Sequence, residues 1–316
     1  MTQLNSENNV VFDTGPLGLA VMDALVDRGR QITLVNRTAT IHETEPPGVQ
    51  LVQGDATQPD EVREICQNVD VVFHCAQPPY HQWPALFPAL TQGIADGLSG
   101  SGARLVFADN LYMYGPTGGD PIHEGLPMAA TGRKGKTRAQ MAAMLLQLHR
   151  NGQLQVTIGR ASDFYGPRVL GSVVGESFYK PALKGKTVNV LGDPDMPHTY
   201  TYIHDFARAL VTLSEAKEAY GRAWHVPSAS TITTRQLADL IAEETGQPTK
   251  LRAGGRLTAS LLGLFVPDIR EMKEMMYEFE EPYIVDHSHF EAVFGNDATP
   301  HQEAIGETPT SKFAST

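Results

Sequence analysis

Short apolar runs alternate with stretches of helical periodicity through the first half of the chain, and this alternation constrains the fold more than any other feature. The runs NNVVF, QITLVNR, GVQLVQGD, DVVFHCA, RLVFADN and QVTIGRAS are bounded by Gly, Asp, Asn or Ser, as β-strands are. Segments such as LGLAVMDALVDRG and TRAQMAAMLLQLHRNG separate them. Strands that are apolar on both faces and separated by helices form parallel sheets covered on both sides. The sequence therefore predicts an α/β fold with a Rossmann-like, doubly wound parallel sheet.

The regular alternation ends near residue 165. Residues 8 to 165 are therefore predicted to form the Rossmann domain, with its sheet completed by segments within residues 185 to 230. Residues 166 to 295 mix turn-rich stretches with helices, including TTRQLADLIAEETGQP, whose pattern predicts a capped amphipathic helix. We expect this part to form mainly a smaller C-terminal lobe, followed by a poorly ordered tail over residues 296 to 316.

Composition and charge narrow the class of protein. The 316 residues include 41% hydrophobic residues, enough for a sizeable core, and the apolar runs are far shorter than a membrane span. The formal net charge of −11 disfavours general nucleic-acid binding. Cys66 and Cys75 suggest no disulfide framework, and the polar N-terminus lacks a signal-peptide pattern. These features predict a cytoplasmic protein that binds neither nucleic acid nor membrane.

The turn between the first strand and the first helix reads Asp13-Thr14-Gly15-Pro16-Leu17-Gly18. It would be a Gly-x-Gly-x-x-Gly loop if Asp13 were glycine. In such a loop, Gly15 lets the backbone approach a pyrophosphate and Gly18 allows close packing of helix and strand. The strand-loop-helix context favours a dinucleotide site formed by these six residues. The alternative is that Gly and Pro only mark a βα turn.

The end of the second strand, QITLVNRTA, bears on the choice of cofactor. Sites that prefer NAD(H) usually end this strand with Asp or Glu, which holds the ribose hydroxyls. Asn36 and Arg37 stand there instead, and a guanidinium can form charge-assisted bonds to a 2′-phosphate. The sequence therefore predicts NADP(H), with NAD(H) disfavoured. The alternative is that Arg37 is a solvated loop residue.

Two further strand ends are assigned to the cofactor site. Asp55 and Ala56 follow the third strand, where a short acidic side chain can accept a hydrogen bond from an adenine amino group. Cys75 and Ala76 end the fourth strand. No metal site is predicted there, because neighbouring residues of a strand point to opposite faces and no other cluster of ligands accompanies them.

Several stretches resemble the extended or atypical short-chain dehydrogenase/reductase superfamily, in its NAD-dependent epimerase/dehydratase group. They are TGPLG, GDATQPD, DVVFHCA, LVFADNLYMYG, TIGRASDFYGP, YTYIHDFARAL and GRAWHVP, and they extend over roughly residues 8 to 295. The resemblance implies a Rossmann domain that binds a dinucleotide. It places Tyr165, within GRASDFYGP, in the family's Arg-Pro-x-x-x-Tyr-Gly-Pro stretch, and we assign this residue to the cofactor site.

The resemblance also implies a Tyr-x-x-x-Lys pair for acid–base chemistry and a Ser or Thr that holds the substrate oxygen. None of the ten tyrosines has a lysine four residues later. Aligned by motif, Lys134 takes the tyrosine position, Arg138 the lysine position and Asn110 the Ser/Thr position. Lys134 can donate a proton, whereas Arg138 stays protonated. Tyr112 and Tyr114, which lie close in sequence to the nicotinamide end of the expected site, are alternative phenols. Alternatively, the basic pair is exposed on a helix and the tyrosines pack.

Asp13 departs from the family pattern because it adds a Cβ and a negative charge near the expected phosphates. Two unit charges about 5 Å apart repel by on the order of 3 kcal/mol at an effective dielectric constant of about 20, which corresponds to about a hundredfold in affinity. Alternatively, the carboxylate caps the helix or turns away. We expect cofactor binding to be weakened rather than abolished.

Three functional hypotheses are open. The first is an NADP(H)-dependent oxidoreductase or epimerase-like enzyme. Its substrate would be a small or apolar carbonyl or hydroxyl compound if the Met-rich stretch Met272–Phe279 lines a cleft. The second is a non-catalytic dinucleotide sensor or scaffold, similar to redox sensors of the nitrogen-metabolite-repressor type. The third is a pseudoenzyme that no longer binds nucleotide. The apolar face of residues 137 to 149 offers a homodimer contact, although the core can equally use it.

Overall fold

The structure, a computed structural model, describes residues 7–41, 44–255 and 273–308. The strands within these ranges are β1 (Asn8–Phe12), β2 (Gln31–Asn36), β3 (Val49–Gln53), β4 (Val71–His74), β5 (Arg104–Asp109), β6 (Gln155–Arg160), β7 (Phe164–Tyr165), β8 (Thr187–Leu191), β9 (Pro197–His198), β10 (Thr201–Tyr202), β11 (Ala223–His225), β12 (Ile232–Thr233) and β13 (Lys250–Gly254).

The helices of the described residues lie mostly between these strands. They are α1 (Pro16–Asp27), α2 (Pro59–Ile65), α3 (Trp83–Leu98), α4 (Arg133–Arg150), α5 (Glu176–Leu183), α6 (Ile203–Glu215), α7 (Thr234–Thr245), α8 (Ser288–Phe294) and α9 (His301–Gly306). A 3₁₀ segment, Lys273–Phe279, precedes α8. None of the helices in the described ranges combines the length and the apolar character that crossing a lipid bilayer requires.

The central sheet has seven strands in the order β11-β6-β5-β4-β1-β2-β3. Neighbouring strands from β6 to β3 are parallel. Val10, Val11 and Phe12 of β1 are fully buried, as expected for a central strand covered on both faces. The predicted Rossmann-like α/β fold is confirmed. The strand order reverses beside β1, and such a reversal opens a crevice at the carboxyl ends of the strands where ligands bind in this architecture.

The chain divides into two compact units. The first comprises the chain up to Asn110, Lys136–Arg160 and Phe206–Trp224; the second comprises Leu111–Gly135, Ala161–Asp205 and the chain from His225 onward. The prediction assigned residues 8 to 165 to the Rossmann domain, with the sheet completed by segments within residues 185 to 230. In this division Leu111–Gly135 belongs to the second unit, whereas Phe206–Trp224 belongs to the first and β11 lies beside β6 in the central sheet. A strand within residues 185 to 230 thus completes the sheet.

The second unit has its own apolar core. Phe178 and Tyr179 of α5, Leu237 and Ile241 of α7, and Ile305 of α9 are buried in it together. Helix α7 forms as its sequence indicates: Thr233 and Gln236 make a capping box, and the helix ends at Gly246 with a φ of 67°.

Residues 296 to 308 do not match the prediction of a poorly ordered tail. They include α9, whose Ala304 and Ile305 are buried in the core of the second unit. A helix of six residues is too short to show a clear amphipathic periodicity in the sequence. The rest of the predicted tail, residues 309 to 316, lies outside the described residues.

Gly93 sets how closely α3 approaches the loop after β3. A Cβ at this position would lie 2.4 Å from the carbonyl oxygen of Ala56 and 2.9 Å from backbone atoms of Thr57. Any larger residue must therefore push the helix away from the loop, since backbone atoms cannot give way as a flexible side chain can.

We predict that Gly93→Ala destabilises the protein. Alanine gains about 1 kcal/mol in helix propensity, but overpacking against backbone costs about 1–3 kcal/mol, and we expect the steric cost to dominate. Gly171→Ala is the matched control, because a Cβ there meets nothing within 4 Å. Urea unfolding measures both variants. A Gly93→Ala midpoint at or above that of the wild type would show that the contact is not tight.

Candidate functional site

The nucleotide loop of the first unit connects β1 to α1 at the reversal of strand order. Gly15 is the N-cap of α1 and Pro16 its first residue, where a missing N–H costs nothing. Within the described ranges, no side-chain hydrogen bond caps this helix. A Cβ at Gly18 would lie 2.4 Å from the carbonyl oxygen of Asp13, so glycine is required for the helix to start this close to the strand. Leu17 is buried behind the loop.

Asp13 adopts a backbone conformation that side chains rarely adopt, with a φ of 140°. Its N–H donates to the carbonyl oxygen of Val35 at 3.2 Å, and its carboxyl group lies against Gly15, with Oδ2 2.8 Å from a Cβ built there. Burial raises the pKa of the Asp13 carboxyl to about 6, although the backbone N–H groups of Thr14 and Gly15 act in the opposite direction. The carboxylate therefore folds back onto the loop instead of turning away from it.

The end of β2 is tied to the same loop. The Asn36 amide donates to the Thr14 hydroxyl at 2.7 Å and to the carbonyl oxygen of Thr40 at 2.7 Å. Asn36 Oδ1 accepts from the N–H of Thr38 at 2.9 Å, which shapes the turn after the strand. Arg37, within this turn, is exposed. Thr14 and Asn36 are thus joined by a hydrogen bond, and the guanidinium of Arg37, the residue after Asn36, is exposed to solvent.

The loops after β3 and β4 complete this edge of the first unit. Asp55 accepts hydrogen bonds from the N–H and hydroxyl of Thr57, at 2.9 and 2.8 Å, so its carboxylate shapes its own turn. Ala56 is buried against α3. The Cys75 N–H donates to the carbonyl oxygen of Phe12, and the pKa of the Cys75 thiol is raised by burial and by the nearby Asp13 charge. Ala76 is half-buried.

Arg138 is part of a buried ion cluster in the first unit. Its Nη1 lies 3.2 Å from Asp109 Oδ1, and the Nε of Arg160 lies 3.1 Å from Asp109 Oδ2. The Arg138 guanidinium also stacks on Trp83 and Phe87, with its central carbon 4.3 and 4.5 Å from the ring centroids. Arg138, which the motifs align with the lysine of a Tyr-x-x-x-Lys pair, therefore forms a structural ion pair. Arg160 and Asp109 were not singled out as ion-pair partners from the sequence, although both end apolar strands.

The pKa of His74 is affected by this cluster. It is fully buried, and its Nε2 lies 3.0 Å from the Thr91 hydroxyl. Burial lowers the pKa of His74 to about 3, and the positive charge of Arg138 contributes to the lowering. The ring is therefore neutral near pH 7 and adds no positive charge beside the Arg138 guanidinium.

Lys134, one helical turn before Arg138, is fully buried. It belongs to the second unit, where its backbone N–H donates to Glu274 Oε1 at 2.8 Å. This carboxylate caps the first turn of α4, a favourable place for a negative charge. A Cβ at Gly132 would lie 2.1 Å from the same oxygen, so Gly132 makes room for the cap. Neither Lys134 nor Arg138 is the exposed basic residue that the alternative interpretation of the sequence expected.

Tyr114 and Tyr165 each form a buried hydrogen bond with a histidine in the second unit. The Tyr114 hydroxyl lies 2.8 Å from His225 Nε2, and His225 Nδ1 donates to the carbonyl oxygen of Asp286 at 3.1 Å. This fixes the tautomer, so the Tyr114 hydroxyl is the donor to Nε2. The Tyr165 hydroxyl lies 2.7 Å from His301 Nδ1, and burial raises the pKa of Tyr165. Neither histidine was identified from the sequence, because its partner is more than a hundred residues away.

A cavity of about 330 Å³ lies in the second unit. Its wall includes Tyr112 and Gly135, the residue after Lys134. The 3₁₀ segment and the two residues after it contribute Glu274, Met275, Tyr277, Glu280 and Glu281. Among the described residues, its lining contains no Lys, Arg or His. Met272 lies outside the described residues, and Met276 and Phe279 are buried. The cavity is thus aromatic in part and carries negative charge.

A buried polar cluster anchors this wall. His198 stacks on Phe279, with ring centroids 5.2 Å apart, and its Nδ1 donates to the carbonyl oxygen of Glu278 at 3.0 Å. Its Nε2 lies 3.2 Å from Asp163 Oδ2. The pKa of Glu278 is raised well above its ordinary value, first by burial and then by the Asp163 charge. No group of His, Cys, Asp or Glu within the described ranges is arranged to hold a metal ion.

Comparison with known proteins is consistent with the parallel sheet and the glycine loop described above. Residues 13–226 match the family described as the NAD dependent epimerase/dehydratase family. The chain belongs to this family. It is 24% identical over 234 residues to UDP-glucuronic acid decarboxylase 1 of Arabidopsis thaliana, which covers 65% of this chain and 51% of that protein. It is 26% identical over 145 residues to dTDP-glucose 4,6-dehydratase of an Actinoplanes species, which covers 46% and 45%. The chain thus spans about half the length of the curated relatives it matches.

Two solved structures share the fold of this family member. The dTDP-glucose 4,6-dehydratase of Bacillus anthracis, in complex with NAD, superposes with a TM-score of 0.79 at 15% identity, covering 96% of this chain and 95% of that one. The UDP-glucose 4-epimerase of Thermus thermophilus, also in complex with NAD, gives 0.78 at 20% identity, covering 97% and 98%. The recognition of an epimerase/dehydratase relative from sequence motifs is confirmed, and the family is named for its dependence on NAD.

We predict that Asp109→Asn strongly destabilises the protein. The change leaves two buried guanidinium groups without their carboxylate, and breaking a buried pair in this way costs about 3–5 kcal/mol. Urea or thermal unfolding measures the loss. The matched control is Asp60→Asn, whose partner Arg63 is largely exposed and whose loss should barely move the midpoint. Similar midpoints for both variants would contradict a central role for the cluster.

Proposed function

We propose that this chain is an NADP(H)-dependent oxidoreductase or epimerase-like enzyme that acts on a small or apolar carbonyl or hydroxyl substrate. The observation that carries the cofactor choice is the end of β2, where Asn36 holds the nucleotide loop through Thr14 and an exposed Arg37 follows. A carboxylate at this strand end would repel a 2′-phosphate, whereas a guanidinium binds it with paired, charge-assisted hydrogen bonds.

The first unit supplies features that fit a dinucleotide. Gly15 and Gly18 keep the loop free of Cβ atoms where the backbone runs closest, and α1 begins there without a side-chain cap from the described residues. The partial positive charge of a helix N-terminus favours phosphate. When bound, NADP(H) supplies or accepts a hydride, and the residues of this chain position it and manage the accompanying proton.

The cavity of the second unit supports a substrate without phosphate groups. Relatives are named for nucleotide sugars such as UDP-glucuronic acid and dTDP-glucose, whose diphosphates need cationic partners. The described lining instead carries Glu274, Glu280 and Glu281. Like charges within about 5 Å repel by on the order of 3 kcal/mol at a dielectric constant of about 20, which favours a neutral ligand packed on Tyr112 and Met275.

Tyr112 is the residue best suited to handle the proton. It follows the carboxyl end of β5 by three positions and lines the cavity. By contrast, Lys134 is fully buried and Arg138 is paired with Asp109. Tyr114 is buried and is not among the described residues of the cavity wall. A phenol in this place can donate a proton to a developing alkoxide.

A second candidate function is dinucleotide sensing without catalysis. Two observations support it, and they concern the residues that the motifs align with the family's tyrosine and lysine. The Lys134 side chain is fully buried, and the Arg138 side chain is held in an ion pair with Asp109. Steady-state assays with NADPH across aldehydes and ketones separate the candidates. Turnover supports the enzyme, and complete silence with bound cofactor, together with partner binding that differs between NADP⁺ and NADPH, supports the sensor.

We predict that Arg37→Ala lowers the affinity for NADP⁺ by about 10- to 100-fold, because hydrogen bonds to a charged group contribute about 1.5–3 kcal/mol. The affinity for NAD⁺, which has no 2′-phosphate, should change less than about threefold by the same reasoning. Isothermal titration measures both. Arg63→Ala, which removes another exposed arginine, is the control. Equal losses for the two dinucleotides would argue against a role in recognising the 2′-phosphate.

We predict that Tyr112→Phe reduces turnover of an accepted carbonyl substrate by about 10²- to 10⁴-fold, the usual contribution of a positioned general acid. NADP⁺ affinity should remain unchanged, because the lost hydroxyl acts on the substrate. Tyr220→Phe, which removes a phenol bonded to the carbonyl oxygen of Ser214, is the control. Wild-type turnover in Tyr112→Phe would exclude this tyrosine as the acid.

A further inference from the structure

Asp13 occupies a position built for glycine. Its φ of 140° lies in a region that residues with a Cβ avoid, and the structure nevertheless places an aspartate there. The three heavy atoms nearest to a Cβ built on Gly15 all belong to the Asp13 carboxyl group, the closest being Oδ2 at 2.8 Å. The carboxyl group therefore covers Gly15, the residue over which a pyrophosphate would pass in a dinucleotide loop.

The charged form of the carboxyl group also interacts with backbone N–H groups of the same loop. The N–H groups of Thr14 and Gly15 lower the pKa of Asp13, against the effect of burial. Backbone N–H groups of such a loop are the donors that hold phosphate oxygens in dinucleotide sites. An ionised Asp13 thus competes with a phosphate in two ways, by occupying donors and by like-charge repulsion.

Among the described residues, the surroundings of Asp13 provide no countercharge that would hold it ionised. Asn36 at the end of β2 is neutral, the neighbouring Arg37 is exposed to solvent, and the first turn of α1 contains no charged residue. Cys75 at the end of β4 is the titratable group that interacts with the Asp13 charge among the residues described, and its thiol stays protonated because its pKa is raised. Burial raises the pKa of Asp13 itself to about 6, so both protonation states are accessible near neutrality.

We propose that dinucleotide binding is linked to protonation of Asp13, so that the loop accepts a pyrophosphate with a neutral carboxyl group and binding takes up a proton. This inference rests on the proposed function, since it assumes that the loop binds NADP(H). The protonation state of Asp13 then determines the pH range in which the loop binds the dinucleotide, in addition to weakening binding overall.

The sign of the pH dependence follows from linkage. The negative charges of the pyrophosphate raise the pKa of Asp13 further in the complex, so the complex binds more protons than the free protein between the two pKa values. In this window, which begins near pH 6, the association constant falls about tenfold for each pH unit. It levels off below the pKa of the free protein and above that of the complex.

NADP⁺ is titrated into the wild type, Asp13→Asn and Asp13→Gly, and its binding is measured by calorimetry at pH values from 5.5 to about 8. NADP⁺ is chosen because it withstands acid better than NADPH. Any titration of the ligand itself is common to all proteins, so the differences between them isolate Asp13. Asp60→Asn controls for the loss of one negative charge on an exposed helix start. Repetition in buffers of different ionisation enthalpy counts the protons taken up.

We expect the wild-type affinity to fall at least tenfold more than that of Asp13→Asn or Asp13→Gly across this range, with proton uptake in the wild type alone. Asp13→Gly should bind about a hundredfold more tightly than the wild type at the upper end of the range. Parallel pH profiles in all three proteins, with saturable binding, would overturn the proton linkage and leave the proposed function standing. Absence of binding in every folded variant at millimolar NADP⁺ would overturn both.

Discussion

The close approach of α1 to the end of β1 is the constraint on which the site depends. Gly18 permits it, because a Cβ there would meet the Asp13 carbonyl oxygen at 2.4 Å. The approach places a helix N-terminus at the reversal of strand order, between β2 and β4. At the same place Asn36 donates a hydrogen bond to Thr14, and the Asp13 charge raises the pKa of the Cys75 thiol. The same geometry gives a phosphate-binding position to any chain that adopts it.

Lys134 and Arg138, which the sequence motifs align with the family's acid–base pair, both take part in the packing of the fold. Arg138 cannot release its proton, and it pairs with Asp109 while it stacks on two aromatic rings. Glu274, far away in sequence, caps the start of the helix that carries it. In the second unit, Glu274 also lines a cavity with Tyr112, the residue to which we propose to assign the acid–base chemistry. A fold can retain its cofactor loop while its proton chemistry changes, because the two depend on different elements.

The sheet was predictable because β1 to β6 are short, apolar and separated by helical periodicity, and local patterns of this kind survive tertiary packing. The loop from Asp13 to Gly18 was predictable for the same reason. The ion cluster was not, since Asp109, Arg138 and Arg160 are brought together only by the pairing of β5 with β6 and the packing of α4. The folding back of the Asp13 carboxyl onto Gly15 was not predictable either, because the sequence allows this group to cap the helix, turn away or face a ligand. The short buried helix His301–Gly306 carries too little periodicity to stand out.

The central claim is that a phosphorylated dinucleotide binds across the β1–α1 loop and the end of β2. Hydrogen–deuterium exchange of the folded protein with and without saturating NADP⁺ tests it most directly, since it reports where the ligand lies. The account predicts slower exchange in the peptides that contain Thr14 to Gly18 and Asn36 to Thr38. Saturable binding that protects only other parts of the chain, or no protection at millimolar NADP⁺, would contradict it.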